Sequence, residues 1–227
     1  FFEAGIDRDA MSVSGSIKFD INLMALKNFT ENEVNYYKEK YLFVCGSTHP
    51  GEEEILIDSF IDLNKENKHL VLAPRHPERF GEIKELVNKK NLSNILYTEI
   101  SSNPNIKSDV TIVDVIGRLL DFYEIADCVF IGGTLVDHGG QNFLEPAFFN
   151  KPIISGRSTY NFDEISKKLS DLGLLKFVSN KDEISSAVES IEAISDSQKK
   201  DTNLWLNENR GASKFISKKV CKEFNLI

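Results

Sequence analysis

Residues 132–149 combine glycines and polar side chains in a pattern that suits binding of a phosphorylated ligand. The stretch reads GGTLVDHGGQNFLEPAFF and contains two glycine pairs seven residues apart. Glycine is costly in regular elements because it loses the most backbone freedom on folding. Gly133 ends an apolar run and would let the backbone approach a ligand closely, whereas Gly139 and Gly140 precede a predicted helix whose free N–H groups favour a phosphate.

The same stretch places an amide and a carboxylate at the start of that helix. Asn142 stands where the helix is predicted to begin, and Glu145 follows about one turn later. Pro146 fits there because N–H groups of a first helical turn have no helical partner. A carboxylate is a poor partner for a phosphate but accepts hydrogen bonds from vicinal ribose hydroxyls. The alternative is a loop with an ordinary helix-start Glu, which leaves the four glycines unexplained, so we predict a sugar-nucleotide site.

A second group of candidates lies in PRHPER, residues 74–79. Arg75 and His76 stand between Pro74 and Pro77, which restrict the backbone on either side. A guanidinium held in this way suits bidentate binding of phosphate or carboxylate. The alternative is an Arg in an ordinary surface salt bridge, a kind of pair that is common in proteins.

Two further loops carry weaker signals. Ser47 and Thr48 follow an apolar run and precede a helix that opens at Gly51, so they suit either an anion or an N-cap formed by Thr48. On this loop alone we favour the cap. Gly117 stands where another helix is predicted to begin, which suits a ligand-facing helix start or an ordinary strand-to-helix turn.

Metal and nucleophile chemistry is less well supported. His49, His76 and His138 fall in the same loops near Asp137, but their spacing matches no zinc motif, so we predict no metal. No Ser-His-Asp or Cys-His arrangement emerges. The first predicted strand is not followed by GxGxxG, which argues against NAD.

The elements that position these loops alternate along the chain. Short, continuously apolar segments predict strands, and all but the third are followed by a segment with helical spacing of apolar residues. This order is typical of an α/β fold: a doubly wound, Rossmann-like parallel sheet that we place over residues 41–195. Ligands bind such sheets at the carboxyl ends of the strands, and all the loops named above lie there. The predicted strands are 41–46, 69–73, 94–98, 109–113, 128–133, 152–156 and 174–179, and the predicted helices are 52–67, 79–90, 117–126, 143–149, 161–172 and 181–194.

Composition sets the class of protein. Of 227 residues, 41% are hydrophobic and 27% are charged, as in soluble globular proteins, and the net charge of −8 argues against a nucleic-acid binder. Three widely spaced cysteines, Cys45, Cys128 and Cys221, indicate reduced, buried thiols in a cytosolic protein. No apolar run has the length of a membrane span, and no signal peptide opens the chain.

The ends of the chain suggest that it is part of a longer protein. It opens with FFEAGID, without an initiator Met, so we expect residues 1–21 to be the tail end of a preceding domain, with a short strand and a Gly-Ser turn in 11–21. The polar segment 22–40 predicts an interdomain linker with some helix. Residues 196–227 predict a helical tail with one last helix.

Several of these motifs together resemble the C-terminal half of the 3-deoxy-D-manno-octulosonic acid (Kdo) transferases. The resemblance rests on GSTHPGEEE, LAPRHPERF, GGTLVDHGGQNFLEPA and FNKPIISG, and VSGSIKFD resembles the segment that closes that family's N-terminal domain. It implies a GT-B glycosyltransferase, built from two Rossmann-like domains, that transfers Kdo from CMP-Kdo to a lipid A precursor. The reaction takes place at the cytoplasmic face of the bacterial inner membrane and needs no catalytic metal or cofactor.

The resemblance also assigns roles. This chain would be the donor-binding half and soluble, and the catalytic base, the acceptor site and the membrane-binding surface would lie in a missing N-terminal domain. Arg75 and the Ser47–Thr48 loop would contact phosphate or sugar, Asn142 the phosphate and Glu145 the ribose. The full predicted donor-binding set is Ser47, Thr48, His49, Arg75, His76, Gly117, Gly133, Gly139, Gly140, Gln141, Asn142 and Glu145.

The chain departs from the family pattern at two points. Gln141 stands where family members usually have His, and Ile116-Gly117-Arg118 stands where Met-Gly-Glu is common. The second change replaces an acidic residue, Glu, with a basic residue, Arg118, near the predicted nucleotide. Two other functions stay open: a different GT-B UDP-sugar transferase or 2-epimerase, and a non-catalytic nucleotide-binding module.

Overall fold

The computed structural model of this chain describes residues 5, 11–21, 26–103 and 105–224. It divides into two compact units, Leu23–Thr202 and a smaller unit of Phe1–Asn22 with Asn203–Ile227. The predicted sheet domain, residues 41–195, lies inside the larger unit. No helix in the described ranges is both long and apolar enough to pass through a membrane.

The larger unit is built on one parallel sheet, as predicted. The strands pair in the order β3-β4-β2-β1-β5-β6-β7, and every pairing is parallel. Chain order reverses between the neighbours β1 and β5, which makes their carboxyl ends the topological switch point of a doubly wound sheet. The strands are β1 (Tyr41–Thr48), β2 (Lys68–Pro74), β3 (Asn94–Leu96), β4 (Val110–Ile112), β5 (Cys128–Ile131), β6 (Ile153–Ser155) and β7 (Leu175–Phe177).

Helices follow the strands in the predicted order, although most are shorter than predicted. The predicted helix 52–67 ends at Asp62, because Leu63 has extended backbone and Lys68 satisfies the free carbonyls there. Its Nζ donates to the carbonyls of Phe60, Ile61 and Leu63 at 2.9, 2.9 and 2.6 Å. The helices are α1 (Glu31–Tyr37), α2 (Glu52–Asp62), α3 (Phe80–Lys89), α4 (Leu119–Ile125), α5 (Leu144–Phe148), α6 (Asp163–Asp171), α7 (Lys181–Glu189), α8 (Asp196–Glu208) and α9 (Ala212–Glu223).

The core lies on both faces of the sheet, which explains the continuously apolar strands. Phe43 and Val44 on β1 and Val129 and Phe130 on β5 alternate between the two faces, and all four are fully buried. Cys45 and Cys128 are buried free thiols, as predicted, while Cys221 is only partly buried.

The segment predicted as a linker contributes a packed helix to the larger unit. Residues 22–25 lie outside the described residues, but α1 follows a capping box formed by Thr30 and Glu33. Tyr37 is buried and packs edge-on against His69, at 5.9 Å between ring centroids. Burial lowers the pKa of His69 to about 3, so this histidine is neutral and structural.

The smaller unit corrects two predictions. The predicted strand in residues 11–21 is absent from that described range, where a short 3-10 helix spans Ile17–Phe19. The tail contains α8 and then α9 instead of one last helix, because Gly211 takes a left-handed backbone (φ +105°) between them. Asp20 accepts the N–H groups of Gly211 and Ser213 at 2.7 Å each, which caps α9.

Close backbone packing at the switch point gives a first prediction. A Cβ at Gly132 would lie 2.1 Å from the Ser47 carbonyl oxygen, which belongs to backbone and cannot move aside cheaply. We expect Gly132→Ala to lower the free energy of unfolding by about 3 kcal/mol, measured by urea denaturation.

Gly81 in α3 offers the matched control, because a Cβ there meets nothing within 4 Å. We expect Gly81→Ala to stabilise the protein by about 0.5 kcal/mol. Equal effects of the two substitutions would contradict the packing argument.

Candidate functional site

A cavity of about 410 Å³ lies at the carboxyl ends of β1, β2, β4 and β5. This is the edge where ligands of doubly wound sheets bind, and it includes the switch point between β1 and β5. The structure brings together six predicted residues there, along with four that were not predicted. The lining consists of Ser47, Arg75, Gly117, Gln141, Asn142 and Glu145, and of Lys27, Leu119, Leu120 and Tyr123.

A larger groove of about 490 Å³ lies at the opposite edge of the sheet. It is lined by residues that precede β2 and β4, among them Asn67 and Ser108, together with Lys40 after α1. The amino ends of parallel strands are not where such sheets bind ligands, so we place the functional site in the smaller cavity.

Asn142 and Glu145 form a hydrogen-bonded pair in the wall of the cavity. The Asn142 amide nitrogen donates to Glu145 Oε1 at 3.0 Å, and Asn142 Oδ1 accepts the Leu144 N–H at 3.1 Å. Burial raises the pKa of Glu145, and the hydrogen bond from Asn142 opposes this shift. A partly desolvated carboxylate held in one orientation is well suited to accept hydroxyl hydrogen bonds from a ligand.

The helix that contains Glu145 differs from the prediction. α5 begins at Leu144, not at Asn142, and it is only five residues long. Such a short helix has little dipole to offer an anion, since the effect depends on aligned peptide units. The backbone N–H groups of Gln141 and Asn142 have no partner among the described residues, so these two amides are available as donors at the cavity.

The glycines of this loop have structural roles. The Gly139 N–H donates to Ser158 Oγ at 3.0 Å, and the Gly140 N–H donates to the Gly133 carbonyl at 2.9 Å. Both residues have positive φ, and a Cβ on Gly139 would lie 2.4 Å from the Tyr160 ring. The N–H groups of Gly139 and Gly140, two residues of the predicted donor-binding set, are therefore already bonded within the protein.

Glu52 occupies the part of the switch point that we predicted for a ligand. Its carboxylate is fully buried and accepts the N–H groups of Gly133, Thr134 and Leu135 at 2.7, 3.0 and 3.0 Å. It also accepts the His49 N–H at 2.9 Å. The successive N–H groups of Gly133, Thr134 and Leu135 form a concave anion-binding arrangement, a backbone nest, after β5. The Glu52 carboxylate fills this nest, so the Gly133 amide is not free for a ligand.

The loop after β1 corrects the predicted cap. α2 has Gly51 as its N-cap, without a side-chain hydrogen bond. Thr48 is buried, and its hydroxyl donates to Glu53 Oε1 at 3.0 Å. Ser47 has a left-handed backbone (φ +55°) at an irregularity in the β1–β2 pairing, and it is the residue of this loop that lines the cavity.

Arg75 lies at the cavity with its side chain exposed, and within the described ranges it forms no ion pair. The alternative role for Arg75 was a salt bridge. In the structure it is Arg79 of the same motif that forms one, with Glu53 at 2.8 Å. His76 does not line the cavity, and its nearest carboxylate is that of Glu78 at 3.6 Å. Arg75 is therefore the member of the pair that is available to an anionic ligand.

His49 supports the cavity from behind Gln141. The two side chains meet at 3.2 Å, and the His49 ring stacks on His138 with centroids 4.4 Å apart. Burial lowers the pKa of His49, and the charge of a protonated His138 would lower it further. Across the described part of the chain, no group of three or more potential metal-ligating side chains is placed to hold an ion.

Arg118, which lies in the second stretch that departs from the family pattern, does not line the cavity. Its guanidinium is buried, pairs with Asp121 at 3.1 Å and donates to the Asn28 carbonyl at 3.1 Å. Gly117 has φ +82° and precedes the helix start at Leu119 by two residues. The base at 118 is therefore a structural residue and adds no charge to the cavity.

Lys27 is the charged residue among the four lining residues that sequence reasoning missed. It lies in the segment predicted as a linker, without periodicity or a motif to single it out. Contact of any lining residue with a ligand stays a prediction.

Comparisons with known proteins bear on the identity of this site. The chain is 34% identical to a 3-deoxy-D-manno-octulosonic acid transferase from Haemophilus influenzae, over 92% of the chain and 50% of that protein. It is also 34% identical to a bifunctional glycosyltransferase/methyltransferase from Fusobacterium nucleatum, over 98% of the chain and 34% of that protein. The chain thus spans a third to a half of the length of these curated relatives. No family model matches it.

A solved structure confirms the fold. The crystal structure of the C-terminal CMP-Kdo binding domain of WaaA from Acinetobacter baumannii matches with a TM-score of 0.64 and 24% identity. The match covers 77% of this chain and 93% of that domain. At this identity the likeness establishes a GT-B C-terminal fold.

The buried carboxylate of Glu52 gives the second prediction. Glu52→Gln keeps the size of the side chain but turns one oxygen into an NH₂ group that faces two backbone N–H donors. We expect the free energy of unfolding to fall by about 2–4 kcal/mol, because buried donors lose their acceptor. Urea denaturation measures this change.

Glu54→Gln is the matched control, because Glu54 is an exposed neighbour that pairs with Lys90 at 3.4 Å. We expect a loss below about 1 kcal/mol for that variant. If Glu52→Gln proved as mild as Glu54→Gln, the nest would not stabilise the switch point.

Proposed function

We propose that this chain, a homologue of the Kdo transferases over 92% of its length, is the part of such an enzyme that binds the nucleotide-sugar donor CMP-Kdo. The observation that carries the proposal is the cavity at the switch point, where the predicted Arg75, Asn142 and Glu145 converge. The fold match to a CMP-Kdo binding domain supports it.

The lining residues suggest how the donor is held. In this proposal, Glu145 accepts hydrogen bonds from the ribose hydroxyls, in the orientation that Asn142 fixes. Arg75 and the free amides of Gln141 and Asn142 bind the phosphate, since charge-assisted bonds to phosphate are the strong ones. Ser47 and Gly117 complete the wall without adding charge.

The whole enzyme is proposed to transfer Kdo to a lipid A precursor in lipopolysaccharide biosynthesis, at the cytoplasmic face of the inner membrane. The catalytic base, the acceptor site and the membrane contact are assigned to a further domain. The relative from Haemophilus influenzae supports this assignment, since the chain covers only 50% of its length. In this proposal CMP-Kdo is the donor substrate, and the reaction uses no cofactor and no metal.

The isolated chain is expected to bind CMP weakly and to catalyse no transfer. General-base help and acceptor positioning contribute large rate factors only when they are held in the same cleft as the donor. The test supplies CMP-Kdo and a lipid A precursor to this chain alone and measures product over time. Steady turnover would show that the chain contains the catalytic groups, against the proposal.

Two substitutions test the assigned contacts. We expect Glu145→Gln to weaken binding of both cytidine and CMP by about 1.5–3 kcal/mol, the range for hydrogen bonds to charged groups. We expect Arg75→Lys to weaken CMP but to spare cytidine, because an ammonium cannot reproduce the guanidinium fork on a phosphate. Isothermal titration calorimetry on both variants with both ligands gives the comparison.

The controls separate binding from folding. Glu145→Gln should leave the unfolding midpoint nearly unchanged, since Gln fits the same local structure. If that variant bound cytidine and CMP normally but unfolded more easily, Glu145 would be a structural residue. Tighter binding of UDP than of CMP by the unaltered chain would instead favour the UDP-sugar alternative.

A further inference from the structure

Lys27 forms part of the cavity wall. Its side chain is exposed, and no ion pair involves it in the part of the chain that the structure describes. Its Nζ lies 3.2 Å from the position that a Cβ on Gly117 would take. The absence of a side chain at Gly117 therefore leaves the space in which this ammonium group stands.

The backbone of Lys27 is held by a buried network. The N–H groups of Lys27 and Asn28 donate to Asp121 Oδ1 at 2.9 and 3.3 Å. Arg118 donates to the Asn28 carbonyl and pairs with both Asp121 and Glu33.

Aromatic rings complete this support. The Arg118 guanidinium lies 5.1 Å from the ring centroids of both Phe29 and Tyr97. Each contact falls within the range of a cation–π interaction. The exposed lysine is thus anchored at its backbone by buried charges, which reduces the ordering cost of binding a ligand.

Charge in the cavity is unevenly distributed. Among the described lining residues, Lys27 and Arg75 are the cations and Glu145 is the carboxylate. A nucleotide-activated sugar acid carries two anionic groups, the phosphate and the carboxylate of the sugar. Arg75 and the amides of Gln141 and Asn142 suffice for the phosphate, which leaves Lys27 as the cation for the second group.

We propose that Lys27 binds the carboxylate of the sugar acid and so selects donors whose sugar is an acid over donors with neutral sugars. This inference rests on the proposed function for the identity of the donor. A lysine on an anchored segment suits this task because a carboxylate attracts a point-like ammonium strongly once water is partly excluded.

The test compares CMP-Kdo, which has the carboxylate, with CMP, which lacks it. We expect Lys27→Gln to weaken CMP-Kdo about tenfold, equivalent to about 1.4 kcal/mol, and to change CMP binding less than about twofold. Lys27→Arg should retain most of the CMP-Kdo affinity because it keeps the charge. Calorimetry measures both ligands on each variant, and unfolding midpoints confirm that the variants are folded.

Lys84→Gln is the matched control, since Lys84 is an exposed lysine on α3 that does not line the cavity. An equal loss for CMP and CMP-Kdo in Lys27→Gln would place Lys27 on the phosphate and overturn the inference, and so would no loss for either ligand. Normal CMP binding in the unaltered chain would leave the proposed function intact in both cases. If the unaltered chain bound neither ligand, both proposals would be wrong.

Discussion

A buried carboxylate that has no cationic partner in the described part of the chain holds the switch point of the sheet together. Glu52 is fully buried and accepts four backbone N–H groups, three after β5 and one after β1. Burying a charge is expensive unless hydrogen bonds replace its hydration, and here the two loops supply those bonds. The same carboxylate therefore satisfies donors that would otherwise be buried alone, and it fixes the spacing of the loops that form the cavity.

The rest of the site follows from that fixed spacing. Gly132 can lie against the Ser47 carbonyl only because it has no side chain, and Ser47 is one of the residues that line the cavity. The N–H groups of Gly139 and Gly140 are bonded internally, whereas those of Gln141 and Asn142 have no partner among the described residues. The cavity therefore offers two backbone donors next to the charged side chains of Lys27, Arg75 and Glu145.

The parallel sheet and the edge that carries the site could be predicted from sequence because both depend on local patterns. Apolar runs alternating with helical spacing determine the strands, and the carboxyl-end rule then selects Arg75 and Glu145. Glu52 was missed because three of its four partners lie more than 80 residues away along the chain. An acid in a first helical turn also has a sufficient local explanation. Lys27 was missed for a related reason. The backbone of its segment is held by Asp121 of α4, and only this tertiary contact shows which polar residue of the segment lies at the cavity.

The Arg118 network has a consequence for how sequences of this kind can diverge. The arginine lies between two acids, Glu33 and Asp121, and both acids also hold backbone N–H groups. An acidic residue at position 118 alone would bring three carboxylates together in a buried place and leave the Asn28 carbonyl without its donor. Exchange between an arginine and a glutamate here therefore requires compensating substitutions at 33 and 121. We expect these three positions to covary as one set, independently of the nucleotide that the cavity binds.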